Sequence, residues 1–234
     1  MFLRKPFAAS PLSTRVAPFV IFLALTCCQG QFGEASRYWF YLAKTVVGIW
    51  LICEMRPFVS EIRWAVSWEA VVVGVAVFVM WVGISGEWTT QNSLWLKFGL
   101  SRPPASPPKM WNPNEQFGAG SALAWLMVGT RLLGSTFVVP PLEEVFYRSF
   151  LYRYIAKPDF MSVPLNRFAW MPFVTTAAVF GFSHNEWLAG ILCGMAYQWL
   201  VLRKNRLGDA MTAHAITNFL LGVWVVWRGD WRFW

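Results

Sequence analysis

The stretch PPLEEVFYRSF, residues 140–150, decides how the rest of this chain is interpreted. It places two adjacent carboxylates, Glu143 and Glu144, and a guanidinium, Arg148, between long apolar runs. An ionised side chain at the centre of a bilayer costs about 3 kcal/mol on insertion scales, so such groups are usually paired and functional. In a helix, Glu144 and Arg148 lie four residues apart on one face as an ion pair, whereas Glu143 points about 100° away. Glu143 is therefore the candidate general base.

The composition indicates a membrane protein. Hydrophobic residues make up 56% of the 234 residues and charged residues only 14%, compared with about 25% charged in soluble domains. The net charge of +8 comes from basic residues scattered over short loops. This pattern is typical of topology signals and of contacts with anionic lipids, and it argues against nucleic-acid binding. The four cysteines have neither metal nor disulfide spacing.

Eight apolar segments are close to the length of a membrane-spanning helix. They cover residues 16–28, 38–56, 68–86, 117–139, 141–156, 168–184, 187–202 and 209–227. The first is predicted to be an uncleaved helix, because no small-residue cleavage site follows its basic start. Several of the last five are short, which suits helices around a watery cavity lined by protein. Small residues that would allow close helix packing there are Gly181, Gly190, Gly194 and Ala196.

We therefore predict an all-α polytopic membrane protein with about eight transmembrane helices around an intramembrane polar cavity. A single integral membrane domain, 1–234, would comprise N-terminal helices with a Pro-rich loop, 1–116, and a catalytic helical core, 117–227. The loop is predicted to be extended because SRPPASPPKMWNPN, residues 101–114, contains five prolines. Eight helices would put both termini on one face and divide the basic residues ten to seven between the faces, which leaves the orientation open.

Both histidines of the chain fall in the predicted helical core. His184 follows Phe180 by four residues, and His214 precedes Asn218 by four, so each pair shares a helix face. A single such group is often only a helix–helix contact, but their concentration in the last 100 residues predicts one shared site. The candidate site residues are Glu143, Glu144, Arg148, His184, His214 and Asn218.

These residues carry a resemblance to a known family. Glu143-Glu144-x-x-x-Arg148, Phe180-x-x-x-His184 and His214-x-x-x-Asn218, in this order on separate apolar segments, resemble the three motifs of the CAAX-prenyl-protease and bacteriocin-processing family (CPBP, or Abi). This family of intramembrane proteases includes the Rce1-type enzymes, and eight spans are its architecture. The endings LGDAMTAHAITN, residues 207–218, and GVWVVWRGDWRFW, residues 222–234, resemble more particularly the CAAX-protease-related proteins found beside bacterial exosortase systems.

The resemblance implies an endopeptidase that cleaves near the C-terminus of a membrane-associated or sorted protein. Glu143 with His184 would activate the water, and His214 with Asn218 would polarise the scissile carbonyl. Glu144, held by Arg148, would orient the site. The implied partners are a protein or peptide substrate, membrane lipids and exosortase-system proteins, with no nucleic acid. The implied location is the bacterial inner membrane.

Three alternatives remain open from the sequence. Glu143, His184 and His214 are also the ligand types of a catalytic zinc site, but HExxH is absent and the groups lie on separate segments, so a metal-free mechanism with no cofactor is favoured. A non-catalytic membrane partner of a protein-sorting system is a second alternative. A proton-coupled transporter is the third, since intramembrane Glu and His also build proton relays, although the chain shows no internal repeat of the kind common in transporters.

Overall fold

A computed structural model describes residues 4–100 and 109–234, and the elements of this part are helices and short helical turns. The helices are α1 Arg4–Ala9, α2 Pro11–Cys27, α3 Ser36–Met55, α4 Trp68–Ile84, α5 Gln91–Lys97, α6 Pro113–Phe117, α7 Ala122–Ala156, α8 Trp170–Phe182, α9 Trp187–Lys204 and α10 Gly208–Arg228. An isolated bridge between Thr90 and Glu186 is the one strand-like pairing in the described ranges. The prediction of an all-α fold is confirmed. Four prolines of the predicted loop, within residues 101–108, lie outside the described residues.

Two of the predicted segments, 117–139 and 141–156, are one continuous helix, α7. Pro140 and Pro141 lack the N–H group that a regular α-helix needs, and their rings crowd the preceding turn. Two π-helical segments, Gly134–Val138 and Val145–Leu151, flank these prolines. Their i→i+5 hydrogen bonds change the helical register locally, which lets the helix continue. The predicted break was therefore wrong, and the described residues contain seven long helices (α2, α3, α4 and α7–α10) instead of eight.

Apolar side chains cover much of the outside of this bundle. Helices α7 and α10 are each long and apolar enough to cross a membrane, and α2, α4 and α8 are shorter apolar helices. Only 33% of the most apolar stretch of α7 is buried within the protein, whereas the core helix of a soluble protein would be mostly covered. Helix α4 likewise exposes Val71, Val72, Val75 and Val79. Such contiguous apolar surface is suited to lipid, and the protein is a polytopic membrane protein.

Successive long helices alternate in direction, so the seven helices place the chain ends on opposite faces. We call the face where α2, α4, α8 and α10 begin the N face, and the opposite one the C face. At the N face, Thr212 Oγ1 donates a hydrogen bond to the Ala65 carbonyl at 3.0 Å. At the C face, the Gln91 N–H donates to the Asn185 carbonyl at 2.8 Å.

The basic residues are divided unequally between the two faces. Eleven lie in loops or helix ends of the N face: Arg4, Lys5, Arg15, Arg56, Arg63, Arg153, Lys157, Arg167, Arg203, Lys204 and Arg206. Five in the described ranges belong to the C face: Arg37, Lys97, Lys109, Arg228 and Arg232. Loops rich in Lys and Arg stay on the cytoplasmic side of the membrane. The observed helix count thus favours an orientation that the eight-helix count left open.

A shared carboxylate fixes three elements at the N face. Arg15 Nη2 donates hydrogen bonds to both oxygens of Glu61, at 2.9 and 2.8 Å, and Arg153 Nη2 donates to Glu61 Oε1 at 2.8 Å. Ser149 Oγ donates to the same oxygen at 3.0 Å. Burial alone would raise the pKa of Glu61, but Arg15, aided by Arg153, outweighs it and lowers the pKa below 4.5. This network joins α2 and α7 to the α3–α4 loop.

Helices α8 and α9 touch backbone to backbone. A Cβ atom added to Gly190 would lie 2.8 Å from the Gly181 Cα, and one added to Gly194 would lie 3.1 Å from the Ala177 Cα. The close approach predicted for these glycines is confirmed. It holds the short α8–α9 connection, which carries His184, against the rest of the bundle.

The charge distribution predicts that the N face is cytoplasmic and that the C-terminus is outside. In a bacterial host, an alkaline phosphatase fused after Trp234 should be active, because that enzyme folds only outside the cytoplasm. The same enzyme fused in the α7–α8 loop after Lys157 should be inactive. The opposite pattern of activities would contradict the predicted orientation.

Replacing Glu61 with Gln should lower the free energy of unfolding by about 3 kcal/mol at neutral pH, because two buried arginines lose their shared carboxylate. Because folding lowers the pKa of Glu61, the stabilisation that its carboxylate provides is full above pH 4.5 and is lost as the pH falls through the folded-state pKa. Unfolding of both proteins in detergent across this range measures the effect. The exposed Glu87→Gln is the control, and a Glu61→Gln deficit that stays constant down to low pH would refute the account.

Candidate active site

A cavity of about 410 Å³ lies inside the bundle and extends toward the C face. Four of the six predicted site residues line it: Glu143, His184, His214 and Asn218. They come from α7, the end of α8 and α10, so the three apolar segments do converge on one space. Glu144 and Arg148 do not line the cavity but lie behind it. Both are almost fully buried, with side chains 0% and 1% exposed.

Glu144 joins a guanidinium and an imidazole through its two oxygens. Arg148 Nε lies 3.2 Å from Glu144 Oε2, one helical turn along α7, as the four-residue spacing predicts. His214 Nδ1 lies 3.0 Å from Glu144 Oε1. A carboxylate in contact with one ring nitrogen fixes the orientation of a histidine and favours the proton on that nitrogen. The other nitrogen, Nε2, is then turned toward Glu143.

Glu143 faces His214 across a short gap. Its Oε2 lies 4.0 Å from His214 Nε2, which is too long for a direct hydrogen bond. This oxygen is buried and has no hydrogen-bond partner among the described residues. A buried carboxylate oxygen requires a donor, and a water molecule in the cavity can contact both groups. The gap is therefore a suitable position for a bound water.

His184 is held at the cavity wall by its own helix. Its Nδ1 lies 2.7 Å from the Phe180 carbonyl and 3.2 Å from Ser183 Oγ, and its ring packs edge-on against Trp81 at 5.6 Å. A proton on Nδ1, donated to that carbonyl, leaves Nε2 free. The imidazole whose contact with Glu143 is within 4.0 Å is His214, whereas His184 shares only the cavity lining with it.

Asn218 contributes an oriented amide. Its Nδ2 donates a hydrogen bond to the Ser135 carbonyl at 2.8 Å, across from α10 to the first π-helical segment of α7. A π-helical segment displaces carbonyls from the regular ladder, and Ser135 supplies one here. The amide retains a second N–H and its carbonyl oxygen for a ligand.

Two supporting contacts were not predicted from the sequence. The Tyr197 ring stacks on His214 with centroids 5.1 Å apart, and its hydroxyl donates to Thr217 at 2.7 Å. Arg148 also lies 4.4 Å from the centre of the Phe180 ring. The His214–Asn218 motif could have indicated Thr217, because Thr217 lies inside it, directly before Asn218. Tyr197 lies in a different helix, beside Gln198, and belongs to none of the three motifs.

The zinc alternative requires three ligands gathered around one point. The described residues hold no group of three or more His, Cys, Asp or Glu side chains placed to bind a metal. Glu143, His184 and His214 share the cavity without forming such a group. These residues therefore do not fit a preformed zinc site.

Replacing Arg148 with Met should destabilise the protein by about 4 kcal/mol, because Glu144 would remain buried without its cation. Adding Glu144→Gln to this variant should restore part of the stability, since no buried charge is then left unpaired. Melting in detergent measures both variants. Arg203→Met is the control. Arg203 is half exposed, and its ion pair with Glu69 is a long one, at 3.7 Å, so its loss should cost under about 1 kcal/mol. Equal losses for the two arginine variants would contradict the bridging role of Glu144.

A known protein family matches the part of the chain that contains this site. Residues 125–220 match the family described as type II CAAX prenyl endopeptidase Rce1-like, and all six candidate site residues fall inside this range. No curated protein and no solved structure matches the chain. This part of the chain is therefore similar to the Rce1-like type II CAAX prenyl endopeptidases.

Proposed function

We propose that this protein is an intramembrane endopeptidase that hydrolyses a peptide bond near the C-terminus of a membrane-associated or sorted protein. The carrying observation is the buried Oε2 of Glu143, which has no hydrogen-bond partner among the described residues and lies 4.0 Å from His214 Nε2 in a cavity large enough for water. Hydrolysis needs a base beside a water and donors for the oxyanion. The same cavity wall supplies both.

In the first step, Glu143 accepts a proton from the water, and the hydroxide attacks the scissile carbonyl carbon. The carbonyl oxygen becomes an oxyanion. Asn218, oriented by Ser135, and His214, oriented by Glu144, are the donors that stabilise it. His214 donates from Nε2 in its imidazolium form, in which both ring nitrogens carry a proton.

In the second step, the tetrahedral intermediate collapses. Glu143 returns its proton to the departing amine, so the carbon–nitrogen bond breaks and a carboxylic acid and an amine are formed. His184 lines the same cavity, and its free Nε2 can hold the attacking water or the leaving amine. Arg148 does not touch the reacting atoms; it positions Glu144 and, through it, His214.

This mechanism needs no metal or other cofactor. Prolonged chelation should therefore leave peptidase activity intact, and loss of activity that zinc alone restores would contradict the glutamate mechanism.

We place the protein in the bacterial inner membrane with an exosortase-type sorting system as partner. The resemblance of residues 207–218 and 222–234 to exosortase-associated proteins supports this placement.

Replacing Glu143 with Gln should slow cleavage by about 10² to 10⁴ fold, the contribution typical of a positioned general base. Proteomics of cells that carry the intact protein or the variant should reveal a C-terminal fragment whose release depends on Glu143. The uncleaved precursor should accumulate in the variant.

The exposed Glu87→Gln is the matched control and should cleave normally. Unchanged fragment release in Glu143→Gln would refute the protease assignment. A variant that loses ion-coupled transport without accumulating any precursor would instead support a transporter.

A further inference from the structure

Two cations without a carboxylate partner lie in the same cavity as Glu143. Lys44, on α3, and Arg131, on α7, both line it. Lys44 is buried, with 7% of its surface exposed, and its Nζ donates a hydrogen bond to Thr26 Oγ1 at 3.1 Å. An ammonium has three protons to donate. No ion pair joins either cation to an acid among the described residues.

Aromatic rings hold both cations in place. The Lys44 Nζ lies 4.4 Å from the centre of the Tyr41 ring and 4.8 Å from that of Phe22. The Arg131 guanidinium lies 4.9 Å from Tyr41, 4.6 Å from Trp111 and 5.5 Å from Trp234. Cation–π contacts orient a guanidinium without using its N–H groups, so these groups remain available to an acceptor.

Neither cation therefore has a counter-ion in direct contact among the described residues. Burying charge inside a membrane without a counter-ion is costly. The other acid at the wall besides Glu143 is Glu186, which accepts a hydrogen bond from Asn185 on the α8–α9 connection. A further cation of the lining, Arg232, is paired with Asp230 at 3.0 Å. Lys44 and Arg131 are thus the cations left for a ligand.

We propose that Lys44 and Arg131 form a subsite for the C-terminal carboxylate of a peptide. A planar guanidinium can bind a carboxylate through two parallel hydrogen bonds, and the ammonium adds a third. Lys44 follows the start of α3 by eight residues, about 12 Å below the helix end at the C face. Lipid phosphates lie at the bilayer surface, so this depth favours a peptide terminus over a lipid headgroup.

The subsite rests on the proposed function, because it would hold the end of a substrate in the cavity that contains Glu143. Arg131 and Glu143 are twelve residues apart on α7, but the Lys44 charge is near enough to act on that of Glu143. A carboxylate bound by the two cations therefore stays in the same cavity as the candidate base.

Binding to random-sequence peptides tests the subsite without knowledge of the natural substrate. Two libraries of heptapeptides, identical except for a free carboxylate or an amide at the C-terminus, are mixed with the purified Glu143→Gln protein, which should not consume them. Mass spectrometry of the bound fraction should show at least about tenfold enrichment of the free carboxylates. Adding Arg131→Gln or Lys44→Met should reduce this enrichment to about twofold or less.

Arg228→Gln in the same background is the matched control and should keep the enrichment, because Arg228 lies on the same face and packs on Trp224 and Trp227 away from the cavity lining. Equal retention of both libraries would overturn the proposal, even if neither of the cation variants folds. Arg131-dependent retention of phosphatidylglycerol over phosphatidylcholine, with no preference among peptides, would assign the cations to lipid instead. Carboxylate binding without any cleavage would refute only the proposed function, and cleavage without a carboxylate preference would refute only the subsite.

Discussion

The candidate site depends on the carboxylate of Glu144, which satisfies two neighbours at once inside an apolar bundle. One oxygen meets Arg148 on its own helix, and the other meets His214 on α10. A buried charge with a missing partner is strongly unfavourable, so α7 and α10 have little freedom to slide relative to each other. That constraint gives His214 one orientation, and it sets the gap to Glu143 in which a water can lie.

Much of this arrangement could be predicted from the sequence, because expensive polar groups in apolar segments are few and must find each other. The four-residue spacing of Glu144 and Arg148 predicted their ion pair. Because the chain has only two histidines, both in its last 100 residues, a single shared site could also be predicted. The local spacing also distinguished Glu143, at the cavity wall, from Glu144 behind it. The roles of the two histidines were less accessible: His214, rather than His184, is the one that faces Glu143 at 4.0 Å.

The remaining features depend on geometry that a residue pattern does not encode. Pro140 and Pro141 indicate a break by every local rule, yet two π-helical segments absorb them and α7 continues. This change from eight helices to seven moves the C-terminus to the opposite face and alters the charge comparison. Long basic side chains near a helix end commonly reach the membrane interface, but that of Lys44 lies in the cavity between Thr26 and Tyr41. Only the packing of α3 against α2 and α7 reveals this.

Helix α8 has only 13 residues, so it rises about 20 Å, well short of the roughly 30 Å of hydrocarbon in a typical bilayer. Its end and the α8–α9 connection, with the polar residues Ser183, His184 and Asn185, therefore lie at a depth where lipid tails would otherwise be. Acyl chains beside this end must shorten or tilt, and the membrane becomes thinner there. A transmembrane helix of another protein that crosses the thinner membrane there has fewer residues in contact with lipid tails. Its last turns then lie nearer to water and polar groups, which lowers the free energy needed to unwind them.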